Sequence, residues 1–243
     1  MIITILTMFP EMLASLENSP IVKHAENNHT LQLEIADIRN YADGSFRHLD
    51  DSPYGGGAGM IMKAEPVLKA LEAVRKEDSY VILAIPSGKP YTQAKAHEYV
   101  RQNHLILIAS HYEGIDARVY KHCDELVSLG DYILSSGEYA CMNIADSVIR
   151  LLDGVIRKES TEEESFENGL LEYPQYTKPY DFNGDTVPDV LLSGNHEKIR
   201  RWKLKQSLKW TSEYREDLLK RHQMNEEEKE ILKEIQEERD HDK

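Results

Sequence analysis

Three polar segments in this chain each follow an apolar run: Pro86-Ser-Gly-Lys-Pro90, Ser110-His-Tyr-Glu-Gly114 and Gly130-Asp-Tyr-Ile-Leu-Ser-Ser-Gly137. Their glycines admit a bound molecule close to the backbone, whose own N–H and C=O groups can hydrogen-bond it. A nucleotide-sized ligand needs such segments at the carboxyl ends of parallel strands. A fourth segment, Tyr54-Gly-Gly-Gly-Ala-Gly59, is richer still in glycine. It is not a P-loop, because no Gly-Lys-Ser/Thr follows, and Met60 stands where a dinucleotide fingerprint needs its third glycine. Adjacent glycines suit close approach to a flat group or another backbone, and a plain flexible loop is the competing reading. Covalent and metal chemistry find no support. No Gly-x-Ser-x-Gly elbow occurs, the histidines lack zinc-site spacing, and Cys123 and Cys141 form no C-x-x-C pair.

The charge balance, 29 Lys+Arg against 43 Asp+Glu for a formal net −14, excludes a globally basic coat for nucleic acid. One segment departs from it. Lys198–Lys209 holds six bases (Lys198, Arg200, Arg201, Lys203, Lys205, Lys209) and no acid, with Trp202 among them. A solvated helix face is the ordinary reading of such a run, and phosphate contact is the functional one. Residues 226–243 carry nine acids and four bases and read as a solvated C-terminal helix.

Regular elements must hold these segments in place. At 243 residues and 40% hydrophobic, the chain suits one large domain or two small ones. Met1–Phe9 reads as a buried first strand, without the basic flank or cleavage site of a signal peptide. Glu11 to about Asn27 reads as a helix broken at Pro20, and Leu31–Ile38 alternates like a half-buried strand. Arg39–Gly59 has no period, which marks a functional or disordered loop. Helix and strand then alternate: Ala64–Lys76, Tyr80–Ile85, Thr92–Arg101, Leu105–Ala109, Asp116–Lys121, Glu125–Leu129 and Glu138–Leu152. That order predicts an α/β domain with a parallel sheet over residues 1–158. Glu159 to Glu167 holds five glutamates, so 159–176 is expected as a flexible linker. Beyond it, His196–Leu208, Thr211–Arg221 and Asn225–Arg239 predict an all-α domain over 177–243. The apolar runs fall short of the ~20 residues of a bilayer span. Two cysteines suit a reducing compartment, so a cytoplasmic protein with no membrane partner is expected.

The segments form an ordered set: Asp50-Asp51-x-Pro53-Tyr54-Gly-Gly-Gly57-x-Gly59-Met60, Tyr112-Glu-Gly-Ile-Asp116 and Gly130-Asp-Tyr-x-Leu134-Ser135. Gly169-Leu-Leu171, Tyr176-Thr-x-Pro179, Val187-Pro188, Leu191-Leu-Ser-Gly-Asn-His196 and Arg201-Trp202 continue it. In that order, over nearly the whole chain, they resemble the bacterial tRNA (guanine-N1)-methyltransferase family, TrmD. The resemblance implies a SPOUT-type parallel sheet tied in a deep trefoil knot, plus a small all-α C-terminal domain that grips tRNA. It also implies a homodimer with its active site at the subunit interface, S-adenosylmethionine as methyl donor, and N1-methylguanosine at tRNA position 37 as product. Turnover in the family needs Mg²⁺, although no cation cage is evident here. By motif position, Glu164 is the implied base for the guanine N1 proton and Arg150 the cation facing charge on O6. The implied cofactor residues are Pro86, Gly88, Ser110, Tyr112, Glu113, Gly114, Leu129, Gly130, Tyr132, Leu134 and Gly137. The implied RNA contacts are Lys198, Arg200, Arg201, Lys203 and Lys205.

Three positions depart from the family pattern. Glu164 stands where Asp is usual, Ser110 follows Ala109 where Cys-Gly is usual, and Ser136 replaces a glycine. The two serines are expected to narrow the cofactor cleft. A non-catalytic RNA-binding paralogue of the same fold is the alternative reading.

Overall fold

The computed structural model describes residues 1–44 and 48–241, so residues 45–47 of the Arg39–Gly59 segment lie outside it. The chain divides into two compact units, Met1–Arg157 and Lys158–Lys243.

The first unit opens with β1 (Ile2–Thr7), a 3-10 turn, and helices α1 (Ala14–Glu17) and α2 (Pro20–Asn27). Pro20 starts α2 rather than merely interrupting a helix: its missing N–H costs nothing at a first position, and the Ser19 hydroxyl caps Val22 N–H at 3.4 Å. β2 (Gln32–Asp37) follows, then the short antiparallel pair β3 (Asp50–Asp51) and β4 (Ile61–Met62). Next come α3 (Ala64–Val74), β5 (Ser79–Pro90), α4 (Gln93–Tyr99), β6 (His104–Ala109), β7 (Glu125–Ser128) and α5 (Gly137–Ile149). The long strands form one sheet in the order β2-β1-β6-β5-β7, parallel throughout.

Alternate residues supply two cores. Ile82, Leu105 and Leu107 face Val22 of α2, Ala96 and Tyr99 of α4, and Ile144 and Val148 of α5. Val81, Leu83, Ile106 and Ile108 face Val67, Ala70 and Leu71 of α3 on the other side. Each fully buried Leu or Ile contributes about 1.5–3 kcal/mol, so both helical layers are firmly held. The sheet's carboxyl edge is therefore a fixed platform for the segments that leave it.

Two boundaries differ from the sequence reading. The Pro86–Pro90 segment is not a free loop: β5 continues through it along β7, with a register shift between Ala84 and Lys89. In the second unit, α6 (Lys158–Glu162) and the hairpin β8 (Asp181–Phe182) with β9 (Asp185–Thr186) precede α7 (His196–Tyr214), α8 (Glu216–Arg221) and α9 (Glu226–His241). α7 runs past the break expected near residue 210, because Leu208 and Thr211 are both buried and keep its inner stripe continuous. It stops at Arg215, whose φ of −142° and ψ of 58° are not helical. Leu170, from the stretch expected as a linker, is fully buried in this unit with Leu208, Ile231 and Ile235.

His104 shows how tightly the sheet's amino edge is specified. Thr4 Oγ1 donates to Glu34 Oε2 (2.9 Å) and so accepts from His104 Nε2 (2.9 Å), leaving Nδ1 to accept from Ser79 Oγ (2.7 Å). The ring is neutral. Burial holds its pKa below the ordinary value, with Lys76 acting in the same sense and Glu34 opposing. Below pH ~6.5 the unfolded chain binds a proton here that the folded chain refuses, so stability must fall with falling pH. We expect the pH slope of unfolding free energy between pH 5 and 6.5 to be steeper in the wild type than in His104→Asn, by at most about 1.4 kcal/mol per pH unit. Denaturant titrations at several pH values measure it, and equal slopes would clear His104 of that role.

Candidate functional site

β5 and the loops that leave β6 and β7 line a cavity of about 320 Å³. Ala84, Ile85 and Pro86 line it from β5, Ser110 to Gly114 from the loop after β6, and Leu129, Gly130 and Tyr132 to Gly137 from the loop after β7. Ten of the eleven residues expected at a cofactor are in this lining, all but Gly88. Gly88 instead lies flat on β7, where a Cβ would overlap the backbone of Leu126 and Val127. Gly137 has two roles. It lines the cavity and begins α5, and a Cβ there would overlap the backbone of Ser110, whose carbonyl accepts the Gly137 N–H at 2.8 Å.

The glycine-rich segment is stitched to the same wall. Met62 N–H donates to Gly114 O (2.9 Å), and Glu113 N–H donates to Met60 O (3.0 Å). Tyr112 sits between these bonds at φ 59°, a left-handed conformation that costs a non-glycine residue energy and is found where surroundings impose it. Burial raises its phenol pKa, with Asp50 adding to the effect.

Both serines expected to narrow the cavity have bonded hydroxyls. Ser110 Oγ donates to Ala84 O (3.2 Å), and Ser136 Oγ caps Glu138 N–H (3.3 Å) while donating to the Glu138 carboxylate. Glu138 is fully buried and also accepts from Thr7 Oγ1 (2.5 Å), tying the end of β1 to the start of α5. Sequence reasoning missed Glu138, and also His111, which lines the cavity. Among the described residues, His111 Nδ1 is the buried side-chain nitrogen or oxygen left without a hydrogen-bond partner. The signal for Glu138 was present, because a Ser two residues ahead of an acid at a helix start is a cap.

The remaining candidates fall in both units. Arg150 is half-buried at the C-cap of α5, its N–H on Asp146 O at 3.1 Å. Glu164 is half-buried in a turn of the second unit, its N–H on Thr161 O at 3.4 Å. The adjacent Glu163 accepts from Lys203 Nζ (2.8 Å) and Tyr173 OH (2.5 Å), and Lys203 in particular holds its carboxyl below the usual range. Further along, Leu171 N–H donates to Thr211 Oγ1 (2.9 Å). This segment is thus pinned to α7.

The basic residues of α7 are not one uniform stripe. Arg200 makes a fork to Glu227 (2.6 and 3.1 Å) and a second contact to Glu197 (2.8 Å). Arg201 pairs with Glu234, and Lys205 with Glu238 at 2.6 Å and Glu234 at 3.6 Å. Lys203 is held by Glu163, whereas exposed Lys198 and Lys209 have no ion-pair partner among the described residues.

Comparison with known proteins bears on this geometry. The model of the family described as tRNA (Guanine-1)-methyltransferase TrmD matches residues 1–221, ending before α9. A tRNA (guanine-N(1)-)-methyltransferase of Streptococcus pyogenes serotype M4 is 48% identical over 236 residues, covering 97% of this chain and 98% of the relative. One from Dictyoglomus turgidum is 47% identical over 237 residues, covering 97% of each. Identity at that level over nearly the full length, together with the family match, means that this chain belongs to the tRNA (guanine-1)-methyltransferase TrmD family.

Proposed function

We propose that this protein transfers the methyl group of S-adenosylmethionine to N1 of guanine 37 of tRNA, in the cytoplasm and as a homodimer. The observation that carries the reading is the cavity, walled by ten of the eleven residues assigned to the cofactor by resemblance, in a chain of this family. Its chemistry suits the molecule: Ile85, Leu129 and Leu134 can cover the faces of a purine, and His111 Nδ1 can meet one polar atom. The knotted path belongs to the same reading. No helix among the described residues is long and apolar enough to cross a membrane.

When bound, S-adenosylmethionine supplies an electrophilic methyl group on a sulfonium sulfur. The protein must then remove the proton from guanine N1 and stabilise the charge that builds on O6. Glu164 takes the proton, a role that contributes about 10²–10⁴-fold to a rate. Arg150 faces O6, where a fixed cation opposes developing negative charge. The basic segment of α7 meets the RNA backbone. Among the described residues, no group of three or more His, Cys, Asp or Glu could hold a metal ion, and none of these roles is assigned to Mg²⁺.

Calorimetry with S-adenosylmethionine and methylation of unmodified tRNA, with and without guanosine at position 37, test the reading together. Binding without turnover would mark a non-catalytic paralogue instead. Glu164→Gln should lower kcat by about 10²-fold or more while cofactor Kd changes less than about twofold. Wild-type turnover in that variant would remove Glu164 as the base.

The shared site predicts complementation. Glu164→Gln lacks the base, and Leu134→Arg sets a cation at the cavity wall against the cationic cofactor. Refolded together in equal amounts, about half the dimers are mixed and each carries one intact composite site, so roughly a quarter of all sites should work. Assays of the mixture, after checking that both variants dimerise, measure this. Activity no higher than that of the separately refolded parents would show that each protomer carries a whole site.

A further inference from the structure

α7 presents two kinds of cation. Arg200, Arg201 and Lys205 are met by Glu227, Glu234 and Glu238 of α9, which are seven and four residues apart and so share one stripe of that helix. These contacts do not hold α9 in place, because exposed ion pairs contribute little, whereas Ile231 and Ile235 are buried against Leu170 and Leu208. Their effect is electrostatic. Three carboxylates cancel three cations at contact distance, and a phosphate arriving there gains only what the carboxylate gives up.

Lys203 is taken by Glu163, and the remaining cations of the segment are Lys198 and Lys209. They are exposed, have no ion-pair partner among the described residues, and with Trp202 lie at i, i+4 and i+11 on one face of the helix, which Lys205 at i+7 shares although its ammonium is taken by Glu238 and Glu234. Trp202 is half-buried there, with the Tyr176 ring 6.3 Å away.

We propose that tRNA phosphates dock on Lys198 and Lys209 beside Trp202, and that the acidic stripe of α9 closes Arg200, Arg201 and Lys205 to polyanions. The inference rests on the proposed tRNA reading and narrows it. An open pair of lysines beside an aromatic ring accepts a backbone that the rest of the site has already positioned. Three neutralised cations deny generic polyanions the counterion release on which non-specific binding depends.

The test measures equilibrium binding of tRNA, and of double-stranded DNA of unrelated sequence, against salt concentration. Melting temperature is recorded for every variant. Lys198→Gln/Lys209→Gln should weaken tRNA binding about tenfold and flatten its log–log salt slope by about 1.5. Arg200→Gln/Lys205→Gln should leave that slope within about 0.5 of wild type, because those cations are already neutralised. Glu227→Gln/Glu234→Gln/Glu238→Gln should tighten DNA binding at least tenfold and steepen its slope by about 2. Equal flattening by both cation pairs, or DNA binding indifferent to the glutamates at an unchanged melting temperature, would overturn the proposal. Wild-type protein with no salt-dependent affinity for tRNA would instead overturn the tRNA reading beneath it.

Discussion

Two backbone crossings set the geometry of the first unit. At Gly88 the extended end of β5 lies on β7, and at Gly137 the first turn of α5 lies on the residue that follows β6. Any side chain at either place would meet main-chain atoms, which have no rotamer to yield. The Gly137 crossing also carries a hydrogen bond to Ser110 O, so it fixes the start of α5 on the end of β6. α5 in turn buries Cys141, Ile144, Ala145, Val148 and Ile149 against the sheet. Core and cavity therefore share one constraint. The helix cannot be packed without bringing the loop after β7 over the loop after β6, and the space between those loops is the cavity.

Glu138 is the electrostatic counterpart of that constraint. A buried carboxylate costs several kcal/mol of desolvation unless its surroundings replace water. Here the Thr7 and Ser136 hydroxyls donate to it, and it lies in the first turn of α5, where the helix dipole favours negative charge. Thr7 Oγ1 in turn accepts from Phe9 N–H at 2.8 Å, so the turn after β1 joins the same network. The serine at 136 supplies a donor that a glycine could not. Its side chain is part of the wall's support, which is a different outcome from a side chain standing loose in a cleft.

Much of this was legible in the sequence because local pattern and tertiary structure agree. The apolar runs around Ile82 and Leu107 are buried on both faces, and two of the three polar segments sit where such strands end. Legibility failed where a tertiary partner overrides local chemistry. Pro86 to Pro90 carries turn residues, yet β7 draws it into extended pairing. Lys209 and Trp210 interrupt the apolar period of α7, yet burial of Leu208 and Thr211 carries the helix through them. Nothing local announces that Glu138 and Thr7 meet, since 131 residues separate them. The basic and acidic runs were each visible as runs, but their pairing across 27 and 33 residues is a product of the fold.

That pairing changes how the net charge of −14 should be weighed. At physiological salt the Debye length is about 8 Å, so distant glutamates barely act on a phosphate at α7. Carboxylates in contact act fully. Arg200 engages Glu227 through a two-pronged fork, a geometry that suits guanidinium and carboxylate and leaves few donors for anything else. Lys198 keeps all three ammonium protons for solvent or ligand among the described residues. An acidic chain can therefore offer a polyanion a well-defined landing place. What decides the matter is which of its cations the fold has left uncovered, and total charge is silent on that.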